Sequence, residues 1–189
     1  TEKWITALAH DLGRHPVETE SGELACTIMD IDRLLAVVQD YNQGGNMRRP
    51  VSSPAFLAPC HSSIRYEPLL APGVLIIAPF NYPVNLSLVP AAGSLVAGNP
   101  TVLKMSDVAP SVSHLMATLV SHYFPATTRS GGALTVVEGG GESTTQLLQS
   151  GRWGKIFFTG STRVGKIVAT HAAQTLSPIV LELGGKSPV

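Results

Sequence analysis

From residue 73 onward the chain alternates short apolar runs with amphipathic stretches, and this rhythm restricts the fold more than any other feature. The runs are "GVLIIAPF", "TVLK", "LTVVEG", "KIFFTG" and "PIVLELG". Each is too short for a core helix and too continuous for a strand with one wet face. That pattern suits strands buried on both faces of a parallel sheet. Between them, "VNLSLVPAAGSLVAGN" reads as a helix with an internal Pro90 and a stop at Gly98-Asn99. "SVSHLMATLVSHYF" sets Val112, Leu115, Met116, Leu119, Val120 and Tyr123 at helical spacing. "ESTTQLLQ" is a short helix, and "TRVGKIVATHAAQ" places Val164, Ile167, Val168 and Ala172 on one face. Five strands and four helices thus repeat a βα unit. Short connections between parallel strands need right-handed crossovers, which cover both faces of the sheet. The expected fold is α/β: a doubly wound, mostly parallel five-stranded sheet over residues 73–189. Such sheets bind ligands beyond the carboxyl ends of their strands.

Upstream the pattern differs. Residues 1–47 read as a helical segment. Trp4, Leu8 and Leu12 recur at helical spacing before a stop at Gly13, and Ser21 is a candidate cap for a longer helix. In that helix Leu24, Ile28, Ile31, Leu35 and Val38 form one apolar stripe, and the helix ends near Gly44-Gly45. Residues 48–72, with Pro50, Pro54, Pro59 and Pro68, suggest an extended connecting segment or edge strands.

Charge excludes some partners. Thirteen basic residues balance thirteen acidic ones and form no patch, so neither nucleic acid nor an anionic membrane is an expected partner. Cys26 and Cys60 form no CxxC pair, which suggests neither a disulfide framework nor a zinc site. A reducing compartment, the cytoplasm by default, is the expected location. The six histidines are scattered without a metal-binding spacing. The opening "TEKWITALAHDLG" is polar and amphipathic, unlike a signal peptide.

Four polar features fall at strand ends. In "FTGSTRVG", Gly160 allows a tight strand-to-helix turn, and Ser161 with the free N–H groups of the next helix offers donors to a phosphate. Thr162 stands where GxGxxG would have its middle glycine, so an ordinary capped helix start is the alternative. In "VLKMSD", Lys104 and Asp107 suit a ribose or phosphate, or else form a solvated pair that caps a helix. In "APFNYPVN", Asn81 sits in a proline-flanked turn where a fixed amide suits donation to a developing oxyanion; turn chemistry alone also selects Asn. In "LELGGKSPV", Glu182 near the end of an apolar strand is expected to lose hydration and gain basicity as a general base. A structural pairing of Glu182 with Lys186 or Arg163 is the alternative.

Taken in order, "DLGRHP", "PFNYPVNLSLVPAAGSLVAGNPTVLK", "VVEGG", "FFTGSTRVGK" and "LELGGKSP" resemble the aldehyde dehydrogenase superfamily, most of all its class 3 or fatty-aldehyde branch. The resemblance covers nearly the whole chain. It implies a Rossmann-like domain that binds NAD or NADP, and a cysteine thiolate that attacks an aldehyde. Hydride passes to NAD(P)+, and the resulting thioester is hydrolysed to a carboxylate. On this resemblance Asn81 supplies the oxyanion donor and Glu182 the base that activates water. Lys104 and Asp107 hold the adenosine ribose; Gly160, Ser161, Thr162 and Gly165 shape the pyrophosphate turn; Pro79, Phe80 and Leu183 line the cofactor pocket. Residues 48–72 belong to an oligomerisation arm, and the full-length enzyme is expected to be a homodimer.

The chain departs from the family pattern. Phe80 replaces the usual Trp, Met105 a common Pro, and Asp107 a common Glu, which leaves NAD against NADP open. The nucleophilic cysteine is expected beyond residue 189, in a catalytic domain this chain does not contain. The chain is therefore expected to be the truncated cofactor-binding part of a longer enzyme, inactive alone, with any membrane attachment through a missing C-terminus. Two other readings stand beside it. One is a non-catalytic nucleotide-binding or interaction module of the same fold; the other is a relative that uses NADPH to reduce acyl derivatives.

Overall fold

The computed structural model describes residues 1–42, 48–51, 62–65, 72–125 and 132–186. An N-terminal helical region comprises α1 (Glu2–Leu12), the short α2 (Pro16–Glu18), a π-helical stretch (Thr19–Ala25) and α3 (Cys26–Asn42). Strands β1 (Arg48–Val51) and β2 (Ser62–Arg65) pair antiparallel, Arg48 opposite Arg65 and Val51 opposite Ser62. The α/β unit follows: β3 (Val74–Ile77), α4 (Asn85–Val96), β4 (Thr101–Lys104), α5 (Pro110–Tyr123), β5 (Leu134–Val137), α6 (Gly141–Gln149), β6 (Lys155–Gly160), α7 (Thr162–Thr175) and β7 (Ile179–Leu183).

The five apolar runs form one parallel sheet in the order β5-β4-β3-β6-β7. The chain moves outward from β3 to β5, then returns to start again at β6 on the other side of β3. The boundary between β3 and β6 is therefore the topological switch point, where loops leave the sheet in opposite directions and open a crevice. All four residues of β3 are buried, as a central strand covered on both faces requires. Alternation along it divides the core. Val74 and Ile76 join Leu103, Met105, Val112 and Met116 in a layer with α1, α4 and α5. Leu75 and Ile77 join Leu148, Ile156, Phe158, Val168 and Ala172 under α6 and α7.

The N-terminal helices dock on the first layer through Ala7 and the fully buried Leu8. Gly13 ends α1 in the left-handed conformation (φ 64°) and donates to the Ala9 carbonyl at 3.0 Å, which turns the chain sharply into Arg14. Asp11, in the last turn of α1, reaches the start of α5. Its Oδ2 accepts from the Val112 N–H at 2.9 Å, while His10 Nδ1 lies 3.0 Å from its Oδ1. Helix α5 has no side-chain cap of its own, so Asp11 serves as one from outside. Burial raises the Asp11 carboxyl, but hydrogen bonds from His10, Val112 and Ser111 together outweigh it and hold the group below its ordinary value.

One expectation is corrected here. Ser21 does not cap a helix. The helical run starts at Pro16, where His15 Nδ1 accepts from the Val17 N–H at 3.2 Å, and Ser21 Oγ donates to the Val17 carbonyl inside it. The apolar stripe from Leu24 to Val38 packs only in part: Leu24 lies against the core, while Ile28 is 60% and Leu35 50% exposed. The buried side of this region carries Thr19, Glu23 and Thr27, which face the start of α4. In α7, Ile167 likewise lies off the packed face, while Val168 and Ala172 are buried. The end of α3 near Gly44-Gly45, Cys60 and most of the proline-rich segment lie outside the described residues.

Replacing Asp11 with Ala is expected to lower stability by about 1 kcal/mol at neutral pH, a typical cap loss, read by urea unfolding. Because the folded carboxyl sits below its unfolded value of about 3.9, its contribution is present above that pH and is lost as pH falls through the native value. The gap between Asp11→Ala and the parent should therefore narrow as the pH falls below about 4. A gap that stays constant down the whole acid limb would exclude the ionised cap.

Candidate functional site

Each polar feature read from the sequence lies at or just beyond the carboxyl edge of this sheet. The turn after β3 carries half-buried Pro79, exposed Phe80 and Asn81, and Tyr82 before α4 begins. Helix α4 lacks a side-chain cap of its own. Glu23 supplies it from the π-helical stretch: Oε1 accepts from the Val84 N–H at 2.6 Å and the Asn85 N–H at 3.3 Å. A carboxylate there meets unsatisfied N–H groups and the positive end of the helix. Glu23 is fully buried, and its charge is matched by Arg14, whose Nη1 donates to Oε2. Burial pushes the Glu23 carboxyl up from its ordinary value, opposed by the Val84 N–H and the Arg14 charge. Nη2 of Arg14 donates to the Asn81 carbonyl, and the guanidinium stacks 4.6 Å from the Tyr82 ring centroid. Thr27 Oγ1 closes the cluster, donating to the Glu23 carbonyl at 2.7 Å and accepting from Asn85 Nδ2 at 3.2 Å.

Beyond β4, Lys104 is only 3% exposed, and its Nζ donates to the carbonyls of Met105, at 2.6 Å, and Gly139. Burial pushes its pKa down, and nearby Asp107 counters this. Asp107 itself is exposed and lies against the loop leading to α6: a Cβ built on Gly140 would stand 2.5 Å from its Oδ2. Glycine at 140 is what lets the carboxylate sit there. The loops after β4 and β5 are thus locked together, and two of the three N–H bonds of the Lys104 ammonium are spent inside the protein.

Helix α7 begins with Ser161, whose Oγ accepts from the Val164 N–H at 3.3 Å. Its first-turn residues Thr162 and Arg163 are exposed. Gly165 is buried, and a Cβ there would stand 2.7 Å from Leu183 Cδ2; one at Gly160 would stand 2.7 Å from Phe158 Cζ. Gly165 lets the start of α7 lie close on β6 and β7, while Gly160 leaves room for the Phe158 ring of its own strand.

Glu182 pairs across the ladder with Thr159. Ile179 and Leu181 pack under α6 and α7, so alternation turns Glu182 to the other face, the one from which α4 starts. The structure therefore brings Asn81 and Glu182 to the same edge and the same face, with β6 between their strands. The expected burial of Glu182 is corrected: it is exposed, as are Leu183 and Lys186. Among the described residues neither Lys186 nor Arg163 forms an ion pair with it. Cys26 lies on α3, away from this edge. Among the described residues no three His, Cys, Asp or Glu side chains lie close enough to hold a metal ion, and no helix is long and apolar enough to cross a membrane.

Sequence reasoning missed Arg14, Glu23 and Tyr82. Arg14 lies within "DLGRHP", but nothing local pairs it with Glu23 nine residues later or with Asn81.

A family model described as "Aldehyde dehydrogenase family" matches residues 2–189. Among curated relatives, aldehyde dehydrogenase family 3 member B2 of Mus musculus is 41% identical over 182 residues, covering 96% of this chain and 36% of its own length. The 4,4'-diaponeurosporen-aldehyde dehydrogenase of Staphylococcus aureus is 38% identical over 185 residues, covering 98% of this chain and 38% of its own length. Among solved structures, Staphylococcus aureus AldH in a substrate-bound state has a TM-score of 0.78 at 36% identity, over 99% of this chain and 38% of that one. A Mycobacterium tuberculosis aldehyde dehydrogenase complexed with NAD+ has a TM-score of 0.70 at 27% identity, over 98% of this chain and 36% of that one. The chain thus spans 36 to 38% of the length of these proteins.

The packing of Asp107 against Gly140 has a direct test. Gly140→Ala is expected to turn the exposed Asp107 carboxylate aside at a cost within about 0.5 kcal/mol, measured by thermal or urea unfolding. The cost should largely disappear in an Asp107→Ala background, where the obstructing carboxylate is gone. Equal costs in both backgrounds would remove the contact from the account.

Proposed function

Because this chain belongs to the aldehyde dehydrogenase family, we propose that it is the dinucleotide-binding portion of an NAD(P)-dependent enzyme that oxidises aldehydes to carboxylates. One observation carries the reading: an amide-bearing turn and a carboxylate share one edge and one face of the sheet beside the switch point. An amide held there can donate to a carbonyl oxygen as it becomes an oxyanion. A carboxylate on the same face can take a proton from water.

The residues present fit a dinucleotide. The close approach permitted by Gly165 presents the first-turn N–H groups of α7 to a pyrophosphate. Asp107 is exposed to accept from a ribose hydroxyl, and the remaining N–H of Lys104 can donate to one. Pro79, Phe80 and Leu183 supply apolar surface nearby, and Thr162 joins Ser161 at the helix start. When bound, the nicotinamide cofactor supplies the hydride acceptor. Asp107, one methylene shorter than Glu, leaves the choice between NAD and NADP to a direct titration. The thiolate nucleophile is assigned to the part of the relatives' length that residues 1–189 do not span.

Likeness to the Staphylococcus aureus diaponeurosporen-aldehyde enzyme points to an apolar aldehyde as substrate. Pairing of two copies through residues 48–72 and residence in a reducing compartment complete the proposal.

In the full-length enzyme, Asn81→Ala should slow the first burst of reduced dinucleotide by about 10²- to 10³-fold, the usual loss of an oxyanion donor, with dinucleotide affinity retained. Glu182→Gln should keep the stoichiometric burst and abolish steady turnover, as seen in stopped-flow absorbance. Full turnover of the Gln variant would remove Glu182 from the mechanism. Dinucleotide binding without any burst would favour a non-catalytic module.

A further inference from the structure

The Arg14–Glu23 pair has no part in the roles assigned above, yet it grips the segment that carries Asn81. We propose that Arg14 and Glu23 are positioning residues for the Asn81 amide, fixing the turn after β3 so that the oxyanion donor is in place before substrate arrives. This rests on the reading of Asn81 as that donor.

The turn and the first residue of α4 are held at four positions from one side. The Asn81 carbonyl accepts from Arg14, Tyr82 lies under the guanidinium, and the N–H groups of Val84 and Asn85 donate to Glu23. Thr27 fixes the Asn85 side chain to the same cluster. Glu23 is fully buried, and the Arg14 side chain is 8% exposed, so neither can swing into solvent without dismantling the contact.

A helix start needs only an acceptor for its free N–H groups. At α5 that need is met by Asp11, whose own partner His10 reaches Ser111 inside the helix rather than the preceding loop. At α4, Arg14 extends past the helix to the carbonyl of residue 81, three residues before Val84. That bond does nothing for the helix; it fixes the loop. The guanidinium fork suits both tasks, since its two terminal nitrogens bind the carboxylate and the carbonyl together. Asn81 itself is exposed, and its side-chain amide has no hydrogen-bond partner among the described residues. A held backbone with an uncommitted amide is the arrangement a preorganised donor requires.

The test uses Glu23→Gln and Arg14→Lys in the full-length enzyme, each alone and with Asn81→Ala. Both single variants should slow the burst about 10- to 100-fold, the range for a small displacement of a reacting group. Both should leave dinucleotide affinity unchanged and raise amide hydrogen exchange in the peptide spanning residues 80–88. In the Asn81→Ala background neither should slow the burst further. The same slowing in both backgrounds, or a lowered melting temperature with an unchanged burst, would make the pair merely structural and overturn the proposal. If Glu23→Gln does not fold, Arg14→Lys carries the same comparison, because it leaves the Glu23 bonds to α4 in place. An unaffected burst in Asn81→Ala alone would instead defeat the oxyanion reading, whatever the exchange data show.

Discussion

A carboxylate buried at the start of a helix to which it does not belong is the contact on which the site's geometry depends. Glu23 satisfies two N–H groups that α4 leaves open, 61 residues further along the chain. Such a cap contributes about 0.5–2 kcal/mol. Breaking a buried ion pair by removing one partner costs more, about 3–5 kcal/mol. Glu23 can therefore serve α4 only because Arg14 is beside it, and Arg14 is there because Gly13 turns the chain at the end of α1. Asp11 repeats the device at α5 with a weaker partner, His10. The two helices on one face of the sheet thus take their caps from the N-terminal helices, which ties that region to the α/β unit by charge as well as by the packing of Leu8.

This division of labour holds the loops at the carboxyl edge in place. A loop that must present polar groups has few apolar contacts to hold it, so its rigidity has to come from hydrogen bonds to fixed neighbours. After β3 those neighbours are Arg14 and Glu23. After β4 they are reversed in origin: Lys104, itself buried at the strand end, reaches out to the Met105 and Gly139 carbonyls. After β6 the fixing is steric, with glycine at 165 letting α7 settle against Phe158 and Leu183. Three physical devices thus set three neighbouring loops at one edge.

The sheet was legible in the sequence because two-sided burial leaves continuous apolar runs that no other element of that length produces. The gathering of Asn81, Lys104, Ser161 and Glu182 at one sheet edge was legible because each follows or ends an apolar run. What failed was anything that depends on a distant partner. Glu23 lies on a helix with Thr19 and Thr27 at one-turn spacing, and a stripe of that polarity reads as a wet face. It is dry because α4 offers it N–H groups and Arg14 offers it charge, neither of which is adjacent in sequence. The apolar stripe from Leu24 to Val38 is partly exposed for the same reason in reverse, since Thr19, Glu23 and Thr27 take the buried side. Glu182 was expected to be buried because leucines flank it, as they would in a central strand. In the order β5-β4-β3-β6-β7 its strand is an edge, and a run of five residues carries no sign of its rank in the sheet.

The two groups to which the proposal gives chemistry differ in how they are held, and the difference suits the roles proposed for them. A donor to a developing charge is effective to the degree that it need not reorganise, and the turn bearing Asn81 and the first residue of α4 are clamped from the protein side at four positions. A base that must leave room for a leaving group and then address water has the opposite requirement. Glu182 sits exposed on an edge strand, followed by Gly184, around which an added Cβ would meet no atom within 4 Å. On that proposal the fold holds the donor's turn rigid and leaves the carboxylate at the edge of the sheet that the described residues form. It does so with the same sheet edge, by covering one strand with charged helices and leaving the other at the margin.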